Sequence, residues 1–213
     1  MLPTIDPFAA LQSAPAQIDF AATVQSYLLH GIVHILTGYD HLLFVSALVL
    51  AAPTLWEIIK VVSAFTLAHT ITLVLAVLHV INLPAGIVEP MIAASIVFVA
   101  VENLIWPQRS SGWPRMAVAF GFGLFHGLGF AGGLLDAMAG LPTSGMLTAL
   151  ASFSVGVEIG HQSVVIPLFL LMYWLRRQPM PRLAPGAVQA GSCLISLAGA
   201  YYLLLDLHNA NLF

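Results

Sequence analysis

Six apolar stretches, each about as long as a bilayer is thick, decide what this chain can fold into. They run over about residues 30–52, 60–80, 87–106, 115–135, 147–175 and 187–207. A helix needs about 20 predominantly apolar residues to cross the hydrocarbon core, and each stretch meets or exceeds that. The breaks between them carry turn chemistry, as at Ala52-Pro53-Thr54, Asn82-Leu83-Pro84-Ala85-Gly86, Trp106-Pro107 and Gly140-Leu141-Pro142. Only 7% of the 213 residues are charged and 60% are hydrophobic. A soluble domain carries about 25% charged residues. The expected fold is therefore all-α: a polytopic membrane protein with six transmembrane helices in one domain over 22–208, preceded by a tail over 1–21. That tail has Asp6 and Asp19 and no lysine or arginine, so it does not read as a secretory signal.

Charge sets the expected orientation. Lys60, Arg109, Arg115, Arg176, Arg177 and Arg182 all fall near alternate breaks, and the other breaks and both tails carry no basic residue. The positive-inside rule makes that side cytoplasmic, which puts both termini outside. Trp56, Trp106, Trp113 and Trp174 fall near the same ends, where interfacial anchors belong. A net charge of −3 with scattered cations offers no nucleic-acid surface. The single cysteine, Cys193, excludes an intrachain disulfide and a cysteine-based metal site.

Ionisable residues inside these spans are costly, roughly 2.5–3.5 kcal/mol each at the bilayer centre, so they should face the bundle interior. The first span holds His30, His34, Asp40 and His41. Read as one helix at about 100° per residue, it puts His34 and His41 nearly in line, with Asp40 a quarter turn away. The second span carries Ser63, Thr66, His69, Thr70 and Thr72; the third, Glu102 and Asn103; the fourth, His126 among glycines; the fifth, Ser154, Glu158, His161 and Gln162. Imidazoles with a few carboxylates are donors suited to a borderline divalent cation. Asp40 can serve as a ligand or as the partner that orients an imidazole. Plain helix-to-helix hydrogen bonding is the competing reading, strongest for His69 and His126. Glu102 either lines the inner exit of a path or meets headgroups and Arg109. His79, Glu89, Asp136, Asp206 and His208 sit at the outer margin, where solvation accounts for them. Glycines four apart, at 123 and 127 and at 129 and 133, allow close helix approach. Ser154 lacks a nucleophile-elbow pattern, which argues against a serine hydrolase.

These motifs resemble the HupE/UreJ family of bacterial membrane proteins, associated with hydrogenase and urease gene clusters. The resemblance is carried by His34-x5-Asp40-His41 followed by Leu-Leu-Phe, by Phe65-Thr66-Leu67-Ala68-His69-Thr70, Val101-Glu102-Asn103 and Phe125-His126-Gly127, and by the run from Phe153 to His161. No acid follows Phe125-His126-Gly127 before Asp136, and Ser154 stands where asparagine is expected. Both departures match the family's second branch. The resemblance implies a multi-pass protein of the bacterial inner membrane, with His34, Asp40, His41, His126 and Glu158 handling metal.

The combined expectation is a secondary permease for a divalent transition metal, nickel first, with cobalt, zinc or copper as alternatives. The ion enters near His30 and His34, is held by a subset of His34, Asp40, His41, His69, His126, Glu158 and His161, and leaves past Glu102. No phosphate-binding Gly-Lys loop is present, so transport is passive or driven by a gradient. Two alternatives stay open. One is an integral-membrane zinc hydrolase with Glu158 as base. The other is a membrane metal chaperone or accessory protein that serves a metalloenzyme. Partners beyond the metal and the bilayer are a second copy of the chain or a metalloenzyme under maturation. Three spans in each half, with His-Gly at 30–31 and again at 126–127, raise the question of an inverted repeat.

Overall fold

In lipid every backbone polar group must be satisfied within the chain, and a helix does so span by span. The computed structural model describes residues 19–210; the tail expected over 1–21 lies outside them up to residue 18. Among the described residues the elements are α1 (Phe20–Thr37), α2 (Tyr39–Leu50), α3 (Leu55–Val77), α4 (Ala85–Ile105), α5 (Gly112–Gly129), α6 (Ala131–Ala137), α7 (Thr143–Arg176) and α8 (Leu183–Asn209), with one 3-10 turn at Pro107–Arg109. No strand is present among them. Four helices, α3, α4, α7 and α8, are long and apolar enough to span alone. The bent pairs α1–α2, at 71°, and α5–α6, at 46°, bring the count to six when each is one span.

The residues before the first span, 22–29, extend its helix outward, and two spans expected as single helices are broken. The first span begins at Phe20, where the Asp19 carboxylate caps α1 by accepting from the Ala22 N–H at 3.0 Å. It is also not one helix, because Gly38 breaks it in an extended conformation. A Cβ at Gly38 would lie 2.9 Å from the His34 carbonyl, 3.0 Å from Asp40 Oδ1 and 3.2 Å from His41 Nδ1. The Asp40 and His41 side chains leave no room for a side chain on the inner side of that turn. The fourth span is likewise broken, at Phe130, three residues after Gly127.

Three helix pairs dominate the bundle: α1 on α7, α3 on α5 and α4 on α8. Glycines let two of them approach to backbone contact. Gly31 faces the Phe153 carbonyl and Gly156 faces the Leu28 carbonyl across α1–α7. Gly123 and Gly127 face the Phe65 and His69 carbonyls across α3–α5. Gly129 instead meets the Ile92 side chain, and Gly133 only the Phe130 ring. Exchanging the two halves of the chain turns the α1–α7 pair into the α5–α3 pair and leaves α4–α8 as it was. That reciprocity is what an inverted repeat produces.

The apolar core is split in two. One cluster holds Phe44 to Ala52, Ile58 to Phe65, Ile96, Val99, Ala119, Val165 and Phe169. The other holds Ile35, Leu73, Ala131, Leu134, Phe153 and Val157. On the first, second, fourth and fifth spans the chain passes from one cluster to the other through a histidine. His41 lies between Ile35 and Phe44, His69 between Phe65 and Leu73, His126 between Ala119 and Ala131, and His161 between Val157 and Val165. The large exposed side chains, among them Leu67, Leu170, Leu197 and Leu204, form the lipid-facing surface. The four tryptophans are all exposed at the helix ends that bear the basic residues.

Candidate metal site

Five elements deliver five imidazoles to the layer between the two apolar clusters. His34 is in the last turn of α1, His41 in the first turn of α2 and His126 in the last turn of α5; His69 and His161 come from α3 and α7. His41, His69, His126 and His161 are each at most 2% exposed. His41 is the hub. Its ring centroid is 4.8 Å from His34, 5.1 Å from His126, 5.6 Å from His69 and 5.8 Å from His161. The unbroken-helix alignment expected for His34 and His41 does not exist, since a 71° bend separates them. They meet because the chain bends at Gly38, which sets the end of one half-helix beside the start of the next. Broken helices of this kind recur at ion sites of transporters, where free helix ends reach mid-membrane.

Hydrogen bonds leave the second ring nitrogen bare on three of these rings. His41 Nδ1 lies 3.2 Å from Asp40 Oδ1, and His126 Nδ1 lies 3.1 Å from the Phe122 carbonyl. His161 Nδ1 lies 3.0 Å from the Thr66 hydroxyl, which itself donates to the Val62 carbonyl and so accepts from the ring. Each partner accepts a hydrogen bond from Nδ1–H, which makes Nε2 the nitrogen with a lone pair. Nε2 of His34, His41, His69, His126 and His161, together with Nδ1 of His69, is buried without a hydrogen-bond partner. A buried polar group left unpaired costs roughly 1–3 kcal/mol. Six such nitrogens in one layer are therefore a large unsatisfied demand for a ligand.

Ligand nitrogens of His34, His41 and His69 all lie within 4.8 Å of one another. An ion with metal–nitrogen bonds of about 2.1 Å holds two nitrogens at most about 4.2 Å apart. A contraction of about half an ångström or more would let these three share one ion. Phenyl rings wall the layer. Phe65 is 4.9 Å from His126 and 5.4 Å from His161, and Phe130 is 3.9 Å from His34.

The other residues singled out in the sequence lie elsewhere. His30 sits among the rings of Tyr27, Phe130 and Phe153, at 6.3, 5.9 and 5.9 Å, and not beside His41. Glu158 accepts from the Ser63 hydroxyl at 2.6 Å and from the Gln162 amide at 2.8 Å. Glu102 is buried in an ion pair with Arg115 at 2.6 Å. Arg115 also donates to Asn103 Oδ1 at 2.8 Å, and Asn103 donates to the Ala47 carbonyl at 2.7 Å. This clamp ties α2, α4 and α5 together at the end bearing the basic residues. Arg115 counted among the loop cations in the sequence, yet it is 2% exposed. An acid and an arginine thirteen residues apart, on successive spans and near one membrane surface, were the available signal. Asp40 also borders a cavity of about 250 Å³ between α2, α4 and α8, with Tyr39, Glu89, Tyr202 and Asp206 on its walls.

A bundle of up to six apolar spans with a buried cluster of imidazoles defines a polytopic membrane protein. The chain belongs to the HupE/UreJ family: the family model described as HupE / UreJ protein matches residues 11–206. Comparison with curated proteins and with solved structures returns no match. The family is associated with nickel and cobalt transport or with accessory functions for urease and hydrogenase.

Proposed function

We propose that this protein is a secondary permease for a divalent transition-metal ion, nickel first, in the bacterial inner membrane with both termini outside. The six unpartnered ring nitrogens around His41 carry the reading. Imidazole nitrogen suits nickel, cobalt, zinc and copper, and not the hard cations magnesium and calcium. His34, His41 and His69 are the ligands, with His126 and His161 as the alternates an ion moves to. Asp40 orients His41 and lines the cavity between α2, α4 and α8. That cavity, with Glu89 and Asp206 on its walls, is the attractive route in for a cation. It is preferred to the path past His30, whose ring packs beside Tyr27, Phe130 and Phe153 and not beside His41. The two apolar clusters act as seals on either side of the imidazole layer. Alternate loosening of the two seals, one half of the bundle rocking on the other, exposes the layer to each side in turn.

The hydrolase alternative gives Glu158 the part of base to a metal held by the imidazoles, but that carboxylate bonds to Ser63 and Gln162 and to none of the five rings. Elemental measurement of bound metal on purified protein, paired with nickel uptake into proteoliposomes, tests the proposal. Metal bound and carried supports it. Metal bound without uptake favours the accessory role, and absence of transition-metal binding overturns the reading.

A further inference from the structure

On the α7 face that turns to α3, a second polar group has the opposite chemistry from the imidazole layer. Ser154, Glu158 and Gln162 are spaced four apart, so they form a stripe with about 6 Å of rise per step. Ser154 Oγ, Glu158 Oε2 and Gln162 Oε1 are all buried and without a hydrogen-bond partner. Glu158 Oε1, by contrast, takes both available donors, from Ser63 and Gln162. The group therefore has acceptors to spare and one formal negative charge. No cationic side chain balances it among the described residues. Arg115 is paired with Glu102, Arg176 donates to the Leu50 and Ala52 carbonyls, and Lys60 on α3 is exposed and makes no bond to Glu158. The imidazoles of α1, α2 and α3 that approach α7, His34, His41 and His69, gather with His161 and make no bond to the carboxylate. Asp40 is bonded to His41, and Cys193 on α8 is exposed.

A carboxylate in a span, with orphaned oxygens beside it and no counter-charge, needs a small cation. We infer that Ser63, Glu158 and Gln162 form a site for one monovalent cation, a proton or a sodium ion, separate from the imidazole layer. One carboxylate neutralises one positive charge, and carboxylate, amide and hydroxyl oxygens are hard donors that do not favour the borderline metals the imidazoles suit. The two sites share helices: Ser63 and Thr66 on α3 stand one turn apart, as do Glu158 and His161 on α7, and each pair reaches across to the other. Reading the cation as the ion that drives transport rests on the permease proposal; the site itself does not.

A shallow groove on the outer surface of α7 is lined by Glu158, Ile159, Gln162, Ser163, Ile166 and Pro167, and Ile159 and Ile166 are exposed there. An apolar carbodiimide can reach Glu158 by that route. Dicyclohexylcarbodiimide takes the proton of a carboxylic acid onto its nitrogen while the carboxylate oxygen bonds its central carbon, so it reports a protonated carboxyl. The experiment treats the purified full-length protein with dicyclohexylcarbodiimide across a pH series, with and without sodium chloride, and locates adducts by peptide mass spectrometry. Adduct at Glu158 that sodium suppresses identifies sodium as the occupant. Adduct that declines as pH rises and ignores sodium identifies the proton. Either supports the site. No adduct at Glu158 at any pH, or suppression by nickel in proportion to its occupancy of the imidazole layer, overturns it. For a sodium occupant, Ser63→Ala keeps the carboxyl and removes one oxygen, so the sodium concentration giving half protection rises about tenfold or more. Nickel binding by equilibrium dialysis should be unchanged in Glu158→Gln. Loss of binding there would return Glu158 to the metal site, and an inactive permease with intact labelling would leave the cation site standing.

Discussion

Asp40→Asn is the substitution that probes the imidazole layer most directly. The carboxylate meets His41 Nδ1 at 3.2 Å, and it also accepts the His41 backbone N–H at 2.9 Å. An amide of the same shape keeps one acceptor oxygen but loses the charge, and if its NH₂ turns toward the ring it favours the wrong tautomer. His41 is the hub of the layer, so the loss passes to every shared ion. Removing the partner of a ligating imidazole costs roughly 10–100-fold in metal affinity, equivalent to about 1.4–2.7 kcal/mol. Nickel binding to detergent-purified protein by equilibrium dialysis measures it, with uptake by cells at equal expression alongside. A second effect must be separated, because Asp40 also lines the cavity and attracts cations over distance. That contribution fades with salt, since charges more than about 8 Å apart are largely screened at physiological ionic strength. The contact effect persists. An unchanged dissociation constant at high salt would refute the orienting role of Asp40, and unchanged uptake as well would count against the imidazole layer as the transport site.

Four further outcomes follow from the contacts. Thr66→Val removes the acceptor that fixes His161 and should weaken nickel binding by about tenfold, whereas Thr66→Ser should retain most of it; equal dialysis curves for all three proteins would take His161 out of the site. Gly127→Leu forces a side chain into the His69 carbonyl and Thr72, and should lower stability by about 1–3 kcal/mol or more, read as a fall in the midpoint of thermal unfolding in detergent. Arg115→Met leaves the buried Glu102 charge unpaired and should cost about 3–5 kcal/mol; adding Glu102→Gln should recover much of the unfolding midpoint, and no recovery would deny that the pair is coupled. In a protein carrying Cys193→Ala, a single cysteine introduced by Arg182→Cys should react with an impermeant maleimide only from the cytoplasmic side, and labelling from outside would invert the orientation.

Much of the architecture is legible in the sequence because the bilayer imposes it locally. A run of about 20 apolar residues declares a span without reference to any other run, and the polar residues within spans are conspicuous against that background. His34, His41, His69, His126 and His161 stand out for this reason. Gly38 does not, because a lone glycine in an apolar run is usually a packing device; only the fold shows that the His34 carbonyl, Asp40 and His41 occupy the space a Cβ would need there. Arg115 misleads for the opposite reason. It has the composition of a loop cation, and its partner Glu102 is on another span.

What the sequence by itself determined is therefore the kind of protein and the list of costly residues. Both follow from transfer free energies that each residue bears alone. The tertiary structure decided which of those residues meet. It gathered four imidazoles around that of His41, set Glu102 against Arg115, and placed Glu158 with Ser63 and Gln162 instead of among the rings. Those choices depend on helix pairings, on two broken spans and on where glycine lets backbones touch. These are relations between distant segments, and hydropathy along one segment carries no record of them.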